Sequence, residues 1–185
     1  MKNYWQNAVT FDEYIKETER RIEVQNPEDE HNEYYELGLQ RMNRTLKTYK
    51  VDEEQLETLK SKNFNGKILI ITEPWCGDAS ATVPAVSKFF EGHNEVRIFY
   101  RDSDTSLIDQ FLTNGTQSIP KILILNEDFS LKNVWGPRPQ YGTELLKKFK
   151  ENPETYPREE FYNDLQVYYA KNKGKDAIQE ILELL

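Results

Sequence analysis

The sequence predicts an α/β protein: a mixed four-stranded sheet with helices on both faces, extended by helices at both ends. Three observations point there. A short aliphatic run, KILIIT (67–72), stands between Gly66 and Pro74 and is followed at once by a helical pattern. Such a run is what a strand buried on both faces requires. A second strand-like segment, EVRIFYR (95–101), follows that helix, so the pair forms a parallel β-α-β unit with a right-handed crossover. Two further short runs, KILIL (121–125) and LKNVW (131–135), flank NEDFS and read as an antiparallel hairpin.

The remaining elements follow in order. TFDE (Thr10 to Glu13) has the form of a capping box, opening a helix that ends near Asn26-Pro27. Tyr34, Leu37, Met42 and Leu46 at near-helical spacing predict a second helix from about Glu28 to Thr48. Asp52 caps a third, EEQLETLKSK. Beyond the first strand a helix runs from Gly77 to about Glu91, and SLIDQFLT (106–113) reads as a short helix. YGTELLKKFK closes the block. Residues 157–185 read as two helices separated at Lys173-Gly174, with Phe161, Leu165, Tyr168, Tyr169, Ile178, Ile181, Leu182 and Leu185 docking on the sheet domain. The expected organisation is an N-terminal helical extension over 1–51, a central domain over 52–150 and a C-terminal helical extension over 151–185.

Composition narrows the partners. A chain of 185 residues is long enough for one well-packed domain with extensions. Its formal net charge of −8 argues against a nucleic-acid backbone or an anionic membrane as the main partner. The single cysteine cannot form an internal disulfide, the N-terminus lacks the apolar core of a signal peptide, and ILII (68–71) is far too short to span a bilayer. The expectation is a soluble cytoplasmic monomer. No metal-ligand spacing is present, no cofactor is expected, and His93 in the GHNE loop is poorly placed to serve Cys76.

Chemistry concentrates in EPWCGDASATVP, Glu73 to Pro84. Cys76 falls between a buried strand and a helix start, where unpaired backbone N–H groups and the helix dipole favour an anion. The sulfur is expected near the surface; the helix start draws its pKa below the free value of about 8.5, Asp78 pulls the other way, and the sequence leaves the balance of the two open.

WCGDA, with Pro84 eight residues after the cysteine and Ile119-Pro120 further on, resembles the thioredoxin superfamily. The spacings of 44 residues from Cys76 to Pro120 and 16 from Pro120 to Gly136 are similar to those of thioredoxin. RDSD (101–104), NGTQSIPK (114–121) and WGPRP (135–139) resemble a bacterial branch with a single-cysteine CGDA site. The resemblance implies a thioredoxin-like domain whose Ile119-Pro120 peptide is cis and packs against the Cys76 sulfur. It also implies a substrate groove lined by Trp75, Cys76, Ile119, Pro120 and Gly136. In an exchange reaction the Gly77 and Asp78 N–H groups at the helix start are expected to stabilise the thiolate. Arg138 pairs with a substrate carboxylate or with Asp78.

Two departures limit the chemistry. The resolving cysteine is replaced by Ala79, and the buried carboxylate that assists proton transfer in thioredoxin is replaced by Ile70. Without a second thiolate to attack the mixed disulfide, Cys76 can attack a target once and then stays attached. The chain therefore reads as a monothiol protein exchanging with protein or low-molecular-weight disulfides, or alternatively as a redox-inactive module that binds peptides or proteins.

Overall fold

The computed structural model describes residues 1–185. Eight helices and four strands run in the order α1 (Lys2–Gln6), α2 (Phe11–Val24), α3 (Asn32–Thr48), α4 (Glu53–Ser61), β1 (Lys67–Thr72), α5 (Ala79–Phe90), β2 (Val96–Tyr100), β3 (Lys121–Leu125), β4 (Leu131–Trp135), α6 (Gln140–Glu151), α7 (Arg158–Asn172) and α8 (Lys175–Leu184). The sheet order is β2-β1-β3-β4. β1 pairs parallel with β2 and antiparallel with β3, and β3 pairs antiparallel with β4. The mixed four-stranded sheet with flanking helices is the architecture expected from the alternating pattern.

Local chemistry explains two of the helix starts. The capping box at α2 forms in full, the Thr10 hydroxyl accepting from the Glu13 N–H and the Glu13 carboxylate accepting from the Thr10 N–H. Asp52 accepts from the Glu54 and Gln55 N–H groups at the start of α4. β1 is buried from Ile68 to Thr72, as are all five residues of β3, and these strands form the centre of the core.

Three boundaries differ from the sequence reading. α3 begins at Asn32, not near Glu28, because Asn26 and Asp29 accept from the Glu28 and His31 N–H groups and hold residues 26–31 in turns. SLIDQFLT makes only a single 3-10 turn at Ile108–Gln110. Leu107 and Ile108 bury themselves there, but Phe111 turns out of helical geometry to pack on the core and Leu112 is left exposed, so the turn does not propagate. The short α1 has no counterpart in the sequence reading; buried Trp5 anchors it.

The C-terminal helices complete the core. α8 packs on β4, α5 and α4, and its Ala177, Ile178, Ile181 and Leu182 belong to the main core. Glu180 on α8 accepts from the Trp135 indole N–H at 2.7 Å and from the Gln140 N–H at 2.8 Å. α6 packs instead against α7, forming a second small core of Leu145, Tyr156, Phe161, Leu165 and Tyr169 on Ala81 of α5. At the other end Val9 exchanges two backbone hydrogen bonds with Ile98, so the N-terminal segment covers the edge of β2. No helix is long and apolar enough to cross a membrane.

Candidate functional site

β1 delivers the chain into the Glu73–Asp78 loop, and α5 starts at Ala79. The loop is a turn closed by the Cys76 N–H on the Glu73 carbonyl and the Ser80 N–H on the Cys76 carbonyl, both at 3.1 Å. Cys76 therefore sits just ahead of the helix, while Asp78 occupies the N-cap position without capping. Its carboxylate turns away from the helix to Arg138, whose Nε lies 3.1 Å from Oδ2, and to the Tyr169 hydroxyl at 2.7 Å from Oδ1. Of the two partners left open for Arg138 by the sequence, the structure pairs it with Asp78.

The Ile119–Pro120 peptide is cis, and so is Gly136–Pro137. The Cys76 Sγ donates a hydrogen bond to the Ile119 carbonyl at 3.4 Å, so cysteine and proline loop meet. Gly136 lies against the same loop, and a Cβ there would come within 2.3 Å of the Pro120 carbonyl. The structure thus brings Cys76, Asp78, Ile119, Pro120, Gly136 and Arg138 to one place.

One expectation about the thiol is corrected, and the balance of charges that the sequence left open falls against a thiolate. Cys76 is buried, at 7% exposure, where the strand-to-helix position had suggested a sulfur near the surface. Its pKa is pushed up to about 12, first by burial and then by the Asp78 charge; N–H groups of Ala79 and Asp78 and the Arg138 charge oppose this without overcoming it. Low polarity around the sulfur disfavours the charged form more than the helix start favours it.

Trp75 is half-buried and held on both sides. The His31 ring stacks on it with centroids 4.3 Å apart, and the Arg101 guanidinium lies 4.9 Å from its centroid. Its indole N–H donates to Asp102 at 3.3 Å. Gly77 faces the helical extensions, where a Cβ would lie 3.5 Å from Arg41 Nη1 and 3.7 Å from Gln166 Nε2.

Several residues around the loop escaped the sequence reading. Glu73 is almost fully buried and accepts from the Asp102 N–H at 2.8 Å and from Arg21 at 3.2 Å; burial raises its pKa against those two partners. The one local signal for it is an acid inside the otherwise apolar IITEPW. Tyr169 and His31 carry no such signal. Tyr169 looks like core because its ring is core, and His31 reaches Trp75 only through the turn after α2.

A β-α-β unit and hairpin on a mixed sheet, with a cysteine before the first crossover helix and a cis proline beside it, define a thioredoxin-fold protein. The family model described as Thioredoxin matches residues 24–150, more than half of the chain. The chain belongs to the thioredoxin family. Two solved structures share the fold. One, a 1.5 Å crystal structure of a protein of unknown function, PA1234 from Pseudomonas aeruginosa, has 17% identity and a TM-score of 0.64, covering 98% of this chain and 93% of that one. The other, an HIV epitope-scaffold, has 15% identity and a TM-score of 0.66, covering 99% of this chain and 95% of that one. A comparison with curated proteins finds no match.

Proposed function

We propose that this thioredoxin-family chain, of a bacterial single-cysteine CGDA branch, works as a binding module that grips an extended peptide beside Pro120, with Cys76 kept as a thiol. The observation that carries this reading is the setting of the sulfur. It is buried, donates a hydrogen bond to the Ile119 carbonyl, and shares a turn with the Asp78 carboxylate. A thiol so held is a poor nucleophile at neutral pH. The Ile119 N–H has no acceptor within the chain, which supports pairing with the backbone of an added strand. In this reading Trp75, Gly77, Asp78, Gly136 and Arg138 shape the groove. The extensions over 1–51 and 151–185 frame a domain over 52–150, and the protein acts as a cytoplasmic monomer without a cofactor.

One observation favours monothiol exchange as a second reading: Cys76 sits just ahead of the first turn of α5, where unpaired backbone N–H groups favour an anion. There, Cys76 thiolate would attack one sulfur of a protein or low-molecular-weight disulfide, forming a mixed disulfide and expelling the other sulfur as a thiolate. A low-molecular-weight thiolate would then attack the target sulfur of the mixed disulfide, forming a new disulfide with it and expelling Cys76 as a thiolate. The two readings separate on the rate of Cys76 alkylation from pH about 6 to about 10 at low reagent concentration. The binding reading expects slow labelling with no plateau below pH about 9. Fast labelling with a midpoint below about 8.5 overturns it and favours exchange.

A further inference from the structure

Arg41 and Arg44 stand one turn apart on α3 and open onto the same cleft, facing α7. The cleft has a volume of about 490 Å³ and is lined by Leu37, Gln40, Arg41, Arg44, Gln166, Val167 and Ala170. That volume lies within the usual range of small-molecule sites. No carboxylate lines it. Neither guanidinium makes an ion pair or a side-chain hydrogen bond, although the chain has 32 acidic residues against 24 basic ones. The other arginines near the candidate site, Arg21, Arg101 and Arg138, are each paired with an acid.

Arg41 is the more telling of the two. It is half-buried beside Gly77, and its pKa is lowered by burial and by the Arg44 charge. Two like charges held together with one partly desolvated are unfavourable unless a counter-anion meets them. Guanidinium forks match a tetrahedral oxyanion by paired N–H bonds, which suits a doubly charged phosphoryl group. Leu37 and Val167, both more than 40% exposed, form an apolar wall beside the arginines, and Gln40 and Gln166 add neutral hydrogen-bonding groups.

We propose that the α3–α7 cleft is a binding site for a small organic phosphomonoester, its phosphoryl group held by Arg41 and Arg44 and its organic part lying on Leu37 and Val167. The site is separate from the Cys76–Pro120 groove and does not depend on which reading of Cys76 holds. It adjoins that groove through Gly77.

Calorimetric titration of the full chain with phenyl phosphate, inorganic phosphate and benzoate tests this. Phenyl phosphate is expected to bind saturably at one site per chain, at least about tenfold more tightly than either of the others. Arg41→Gln and Arg44→Gln should each weaken it by about tenfold or more, and Arg41→Lys, which keeps the charge but not the fork, by less than Arg41→Gln. Cys76→Ser should leave it unchanged. An unaltered thermal midpoint in each variant separates lost binding from lost folding. Absence of saturable phenyl phosphate binding, equal binding of benzoate or inorganic phosphate, or affinity indifferent to both arginine substitutions would overturn the proposal.

Discussion

Arg138 reaches from the loop after β4 to hold the Asp78 carboxylate, its Nε 3.1 Å from Oδ2, two residues past the only cysteine. The pair sets the charge seen by the sulfur. Asp78 disfavours a thiolate and Arg138 favours one, and with burial added the balance leaves the thiol protonated.

Asp78→Asn removes the negative charge and keeps the positive one. The Cys76 pKa should fall by about one unit or more, and alkylation near pH 8 should accelerate about tenfold. The same change weakens the hold on buried Arg138 and Tyr169, costing on the order of 2 kcal/mol. Labelling kinetics together with urea unfolding checks both; a variant no more reactive than the parent would show that burial alone keeps the thiol quiet.

The four strands and their mixed pairing were legible because each strand announced itself through apolar runs bounded by glycine, proline or turn residues, whereas their order across the sheet came only from the structure. The meeting of Cys76 with Ile119-Pro120 was legible through their spacing and the family likeness. Burial of the sulfur was not, since it comes from packing around the whole loop rather than from the residues beside it. Nor was the Asp78–Tyr169 contact, which joins residues 91 positions apart. Arg41 is similarly silent in sequence: its lack of a partner is a property of two facing helices.

Ile178 tests whether the C-terminal helix is part of the core. It is fully buried in the main cluster with Ile181 and Leu182. Ile178→Ala leaves a cavity among these groups and should cost about 2–5 kcal/mol, a far larger effect than for an appended tail. For a chain of this size each kcal/mol lowers the midpoint by about 2–4 °C, so calorimetry would show a drop of several degrees or more. A loss below about 0.5 kcal/mol would mean that α8 is only loosely attached.

Acid stability should depend on Glu17. Hydrogen bonds from Arg20 and then Arg21 hold its pKa at about 2, against an ordinary 4.5. A depressed carboxylate contributes stability that is present above the unfolded value and is lost as pH falls from about 4.5 through about 2. Glu73 has the opposite sign, since burial raises its pKa and folding favours its protonated form. Because Glu17 remains partly open to solvent, its contribution is on the order of 1 kcal/mol. Glu17→Gln should therefore be less stable than the parent at pH 7 by about that amount, and the gap should close toward pH about 2. Urea midpoints across this range give the comparison; a gap independent of pH would assign the loss to packing instead.

Gly38 marks where the N-terminal extension meets the cysteine loop. A Cβ on this α3 residue would come within 2.6 Å of the Pro74 carbonyl oxygen, a backbone atom two positions before Cys76. Gly38→Ala must therefore move the helix or the loop. As an overpacking change it should cost about 1–3 kcal/mol, despite alanine's better helix propensity. Gly92→Ala makes a useful contrast. It meets nothing within 4 Å but sits at φ +79°, so its cost of about 1–2 kcal/mol is confined to the local turn. Only Gly38→Ala should also change Cys76 alkylation, because only there does relief of the clash disturb the loop carrying the sulfur. Equal labelling rates in the two variants would show that α3 and the cysteine loop yield independently.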